Sequence, residues 1–137
     1  MRKLKIGIFN HTFINGSGID NVIKDHANFL LKHHSVEINT FFADRTDCKA
    51  RVNILSKAKT KSIFNAHNPI NALRMIKQVK KYDVIMPNIY PANVLATIGS
   101  RIYNTPHLAY FWGAPPSFML DNLPEKLYHL YLHLTEM

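Results

Sequence analysis

Two glycines around a serine (Gly16, Ser17, Gly18), an acid at Asp20 and an imidazole at His11 are the residues whose types and spacing could do chemistry. Glycine permits positive φ and close approach of a ligand to the backbone. Ser17 and Asp20 stand where a capping box opens a helix. A helix start carries unpaired N–H groups and a partial positive charge, which together favour an anion. The chemistry indicated is binding of a phosphate-bearing ligand, with His11 a candidate for binding or proton transfer. A plain βα turn that uses glycine only for geometry has the same sequence. The dinucleotide fingerprint is not met, because no third glycine follows Gly18 by three positions.

The other candidates are sorted by placement. His33 and His34 fall in the last turn of an expected helix, where they complement its dipole, and His26 and His67 read as surface or helix-face residues. His129 and His133 stand one turn apart without a third ligand, so no metal site is expected. No Ser-His-Asp order or carboxylate pair can be assigned, and Glu37, Glu125 and Glu136 fall on elements directed away from the glycine loop, leaving the catalytic residues unknown. Tyr110, Phe111, Trp112 and Phe118 read as core and cleft wall rather than a stacking platform for nucleic acid. The basic run over 57–61 reads as a solvated loop.

These residues must be positioned by elements whose signals follow in order. Ile6, Ile8 and Phe9, within 5–10, form a run suited to a strand buried on both faces. Ile19, Val22, Ile23, Ala27, Leu30 and Leu31 then recur at helical spacing, with Lys24, Asp25, Asn28 and Lys32 toward water. Residues 36–42 and 52–55 read as the second and third strands, joined by a polar connection over 43–50. Asn68 and Pro69 cap a helix whose expected buried stripe is Ile70, Leu73, Ile76 and Val79, with Arg74, Lys77, Lys80 and Lys81 outside it. Residues 82–86 make a fourth strand. Pro91 starts a helix with Val94, Leu95, Ile98 and Ile102 inward, stopped over 104–106, and 107–112 make a fifth strand. Leu123, Leu127, Leu130, Tyr131 and Leu134 mark a last helix.

Strands alternating with helices imply an α/β, Rossmann-like three-layer domain over 1–137, with a parallel sheet of order 3-2-1-4-5. Loops 11–18, 87–91 and 112–116 should meet at the carboxyl edge, between the first and fourth strands. Asn88, Tyr90, Trp112 and Gly113 would then wall a cleft beside His11.

Composition bounds the function classes. The chain has 137 residues, 47% hydrophobic, enough for one ordinary domain with a sizeable core. Its formal charge of +8 favours phosphates, acidic lipid headgroups or nucleic acid as partners. Cys48 stands alone, excluding an intramolecular disulfide and a cysteine zinc site and fitting a reducing cytoplasm. No run approaches the ~20 apolar residues of a membrane span, and peripheral membrane contact stays open.

Taken in order, the features resemble the N-terminal domain of family 4 retaining glycosyltransferases of the GT-B fold. Those domains open with a basic start and an apolar strand, then a glycine-rich loop entering a helix with an early acid. Gly16, Ser17, Gly18 and Asp20 take that place here. They continue with an Asp-Val-Val strand, matched by Asp83, Val84 and Ile85, and a helix near Pro-x-Asn, matched by Pro91 and Asn93. A strand with a small residue and proline, ending in an aromatic turn, is matched by Thr105, Pro106 and His107 through Tyr110, then Ala114, Pro115 and Pro116.

The resemblance implies that Gly16, Ser17 and Gly18 lie against a donor diphosphate and an acceptor. It also implies a histidine near the transferred sugar after the fifth strand, where this chain has Trp112 or Gly113 instead. Most of the nucleotide-sugar site belongs, in that family, to a second, C-terminal domain, which these residues do not include. The expected function is the acceptor-side half of an enzyme moving a sugar from a nucleotide-sugar donor to a glycan or lipid-linked acceptor. It is expected to be inactive alone, to need a second transferase domain or chain, and to use no cofactor. The alternatives are a non-catalytic module binding a phosphorylated glycan or lipid, and a basic nucleic-acid-binding α/β domain.

Overall fold

A computed structural model describes residues 2–57, 59 and 63–108. β1 (Lys5–Phe9) lies inside a parallel sheet, flanked by β3 (Ser35–Thr40) and β6 (Val84–Pro87). Ile8 sits beside Ile38 on one side and Met86 on the other. β5 (Arg51–Ile54) pairs with β3 and forms the outer edge, giving the order β5-β3-β1-β6. This is the expected order for the first four strands. The expected fifth begins in place: His107 bridges Ile85 in parallel, and Leu108 N donates to Ile85 O at 2.9 Å. The rest of that strand, the turn over 112–116 and the last helix lie outside the described residues.

Helices cover both faces because β1 alternates apolar side chains to each. Ile6 and Ile8 join Phe13, Ile23, Ala27, Val36, Ile38 and Met86 under α1 (Gly18–Leu30). Phe9 points the other way, into Phe41, Met75, Val79, Tyr82, Ile85 and Ala96 under α2 (Pro69–Gln78) and α3 (Ala92–Tyr103). Each of the Val, Ile, Phe and Met side chains among these, buried fully, stabilises the fold by about 1.5–3 kcal/mol relative to exposure.

Element starts agree with the sequence more closely than element faces do. Asn68 caps α2 through Oδ1, which accepts from Ile70 N at 2.9 Å, and Asn104 ends α3 in the left-handed region at φ 52°. The expected stripe of α2 is corrected in part: Val79 is buried as expected, but Ile70 and Leu73 are exposed, and Asn71 and Met75 are buried instead. In α3 Leu95 packs against the core as expected, but the face is rotated, with Ile102 62% exposed and Ala92, Ala96, Gly99 and Ser100 inward. A Cβ on Gly99 would stand 2.6 Å from Val79 Cγ2 and 2.8 Å from Ile76 O, so α2 and α3 approach too closely for large side chains between them.

Two further corrections concern the ends of α1. The helix stops at Leu30, short of the expected last turn, and His34 Nδ1 accepts from Leu4 N at 3.3 Å instead of lying over the helix end. Ahead of α1, Thr12 and Phe13 form β2 (Thr12–Phe13), paired in parallel with β4 (Phe42–Ala43), where a plain loop was expected. Among the described residues no helix is long and apolar enough to cross a membrane.

Candidate functional site

The chain steps outward from β1 to β3 and β5, then returns across the sheet to β6 on the other side of β1. In open α/β sheets, ligands bind outside the carboxyl ends of strands at such a reversal. Here the segment over 10–17 leaves β1 and the loop over 88–91 leaves β6, so both start from the carboxyl ends of neighbouring strands, where such a crevice would form. Asn88 N donates to Phe9 O at 2.9 Å, extending the ladder one step to the crevice floor.

The glycine loop is held from within. Asp20 is 1% exposed, and its Oδ1 accepts from Asn10 Nδ2 at 2.8 Å while its Oδ2 accepts from Ile14 N at 2.8 Å. Asn10 Nδ2 also donates to Thr12 O, at 2.6 Å, whereas its buried Oδ1 accepts from no described group. Ser17 caps α1 by accepting from Asp20 N at 3.3 Å. The reciprocal half of a capping box is replaced by the turn back to Ile14.

At the carbonyl of the same residue, Ile14, stands Arg45, whose side chain is 2% exposed. Its guanidinium reaches Ile14 O at 3.5 Å, donates to Asn21 Oδ1 at 3.1 Å and grips Asp47 with two bonds of 2.8 and 2.9 Å. It also lies 4.9 Å from the centre of the Phe13 ring, a cation–π placement. Asp44 Oδ1 accepts from Asn15 N at 3.1 Å. The backbone of Ile14 is thus held at its N–H by a carboxylate and at its carbonyl by a guanidinium, on the two successive peptides that flank its Cα. Burial pushes the Asp20 carboxyl above its ordinary value, against the hydrogen bonds from Ile14 and Asn10 and the Arg45 charge. Hydrogen bonds from Arg45 hold Asp47 down at about 2.

Beyond this clamp the tip is open. Gly16, at φ 82°, and Gly18 are exposed, and a Cβ on either would meet nothing within 4 Å. Asp20 N and Asn21 N are satisfied by Ser17, which leaves the first two N–H groups of α1, those of Gly18 and Ile19, without a described partner.

The other expected residues are placed as follows. His11 is half-buried, its ring edge-on to Phe41 with centroids 5.8 Å apart, and its carbonyl accepts from Thr40 Oγ1 and Phe41 N. Asn88 is 5% exposed and donates its amide to Met86 O at 3.0 Å. Tyr90 is half-buried and precedes Pro91 through a cis peptide bond. Trp112 and Gly113 lie outside the described residues. Sequence reasoning missed Asn10 and Arg45. The signal for Asn10 was a polar residue closing a buried strand, and for Arg45 a long cation between two acids in the 43–50 connection. Among the described residues no three His, Cys, Asp or Glu side chains converge as a metal site would require.

Fold and site together define a parallel α/β domain with a preorganised glycine loop at the reversal point of its sheet. No protein-family model and no curated protein matches the chain. Among solved structures it is similar to the C-terminal domain of a hydrogenase from Pyrococcus furiosus, with a TM-score of 0.50 and 10% identity, over 81% of this chain and 95% of that one. At that identity the likeness shows the fold alone.

Proposed function

We propose that this domain is the acceptor-side half of a glycosyltransferase that takes its sugar from a nucleotide donor, the donor being held largely by a second domain or chain. One observation carries the reading: the tip formed by Gly16, Ser17 and Gly18 is open, and it offers the N–H groups of Gly18 and Ile19 at a helix start beside the crevice. Those donors and the helix charge suit a diphosphate, and exposed glycines let it reach the backbone. Asp20 and Arg45 act on the ligand indirectly, by fixing the loop that meets it. The expected resemblance to family 4 transferases supplies the sugar.

The chemistry available among the described residues is positioning and charge stabilisation, since Ser17, the one hydroxyl of the tip, caps α1 and no described acid–base pair stands beside it. The 137-residue chain by itself is therefore expected to turn over no nucleotide sugar, and product formation in a coupled diphosphate-release assay would overturn this. Binding is tested separately by amide chemical shifts during titration with a uridine diphosphate sugar. Shifts should centre on Gly16 to Asp20. Gly18→Asp supplies the control: its Cβ has room and an acid suits a helix start, so the fold persists while the new carboxylate repels the diphosphate. Undiminished binding by that variant would remove the loop from the site.

A further inference from the structure

A second region of the molecule gathers positive charge around a cavity. Between the outer edge of β5 and the C-terminal half of α2 lies an open cleft of about 560 Å³, within the size range of small-molecule sites. Ile54 and Leu55 form an apolar wall, and Lys57, Arg74, Lys77, Lys80 and Lys81 stand around it. None of the five pairs with a described carboxylate; the described ion pairs use Arg2, Lys24 and Arg45. Arg74 makes a single long contact, 3.4 Å to Leu55 O. Gln78, on the same wall, has a buried Oε1 that accepts from no described group.

Ordinary helix electrostatics accounts for only part of this. The end of α2 carries roughly half a negative charge, which one lysine would offset. Five cations around one cleft repel each other and remain only weakly screened across distances below a Debye length of about 8–10 Å. One phosphate brings about −1.5 to −2, so two are needed to balance the set. A buried amide oxygen without a donor costs free energy that a ligand hydroxyl would recover once the Gln78 side chain turns toward the cleft. Ile54, 54% exposed, offers the carbon face of such a ligand an apolar surface.

We propose that this cleft binds a small ligand bearing two phosphates and at least one hydroxyl, the chemical class of a sugar bisphosphate. It is separate from the glycine loop and independent of the transferase reading: β3 and β1 lie between β5 and the crevice beside β6. The phosphates are taken by Lys57 with Arg74 at one end and by Lys77, Lys80 and Lys81 at the other, and Gln78 accepts from a hydroxyl between them.

The test is calorimetric titration of the full chain with fructose bisphosphate, inorganic pyrophosphate and inorganic phosphate. The bisphosphate should bind at least about ten-fold more tightly than inorganic phosphate, and Lys77→Gln with Lys80→Gln should weaken it about ten-fold. Lys3→Gln with Lys49→Gln removes the same charge from exposed sites elsewhere and should leave affinity within about two-fold. Gln78→Leu should weaken the sugar bisphosphate and spare pyrophosphate. Thermal melts of each variant confirm folding. Equal losses in the two double-lysine variants would reduce the effect to net charge and overturn the site. So would the absence of preference over inorganic phosphate, or a short single-stranded oligonucleotide that binds more tightly and displaces the bisphosphate.

Discussion

Asp20 shows how a residue can be recognisable in type and unforeseen in task. An acid three residues after Ser17 signals a helix start, and a helix does start there. Its side chain turns back to Ile14 N because the loop doubles over, and Ile14 directly follows β2, which pairs with β4 some thirty residues on. Sequence spacing carries no record of such a meeting, and the same holds for Arg45, which reaches Ile14 from 31 residues away. Both Asp20 oxygens accept, so Asp20→Asn would set an N–H against either Ile14 N–H or the Asn10 amide. The expected cost is about 1–3 kcal/mol in urea unfolding, the range for a buried donor left unsatisfied. A loss below about 0.5 kcal/mol, comparable to an ordinary surface substitution, would show that the clamp is dispensable.

At the scale of elements, caps and breakers were legible because each acts locally. Asn68 before Pro69, and Asn104 before a threonine and proline, set their helix ends whatever the rest of the chain does. The buried faces of α2 and α3 were misread for the opposite reason. Periodicity ranks positions by hydrophobicity, but a close helix–helix approach selects by size, so Ala92, Ala96 and Gly99 displaced Ile98 and Ile102 from the interface. Two alanine substitutions separate these effects. Gly99→Ala drives a methyl against Val79 and the Ile76 carbonyl and should destabilise by about 1–3 kcal/mol, whereas Gly18→Ala, with open space, should be neutral or stabilising by up to about 1 kcal/mol. Equal effects of the two in a denaturant midpoint comparison would contradict the packing described for α2 and α3.

For the whole molecule, the sheet couples its layers through a buried polar network whose protons set the pH range of stability. Tyr82 OH donates to Glu37 Oε2 at 2.8 Å and accepts from Asn39 Nδ2 at 2.8 Å, while Asn53 Nδ2 donates to Glu37 Oε2 at 3.0 Å. Burial pushes the Tyr82 phenol well above its ordinary 10.0, so its contribution is complete below that value and is lost as pH rises beyond it. Burial also acts upward on Glu37, but the hydrogen bonds from Tyr82 and Asn53 with the Lys5 and Arg51 charges outweigh it. They leave the carboxyl below its ordinary 4.5, with stability present above that value and lost as pH falls through it.

His107, held by Ser100 Oγ at 2.9 Å, is lowered from 6.5 by burial and by Arg101, so stability also declines as pH falls below 6.5. Asp20, raised by burial, opposes the acid decline, while growing positive charge on a chain already at +8 adds to it. The urea midpoint should therefore be level from about pH 7 to about pH 9 and fall on both sides. Tyr82→Phe should lower the level, since Glu37 and Asn39 lose a partner, yet flatten the alkaline limb. His107→Gln should remove only the first part of the acid limb. An alkaline decline of unchanged shape in Tyr82→Phe would assign that limb to other groups and detach the network from the pH response.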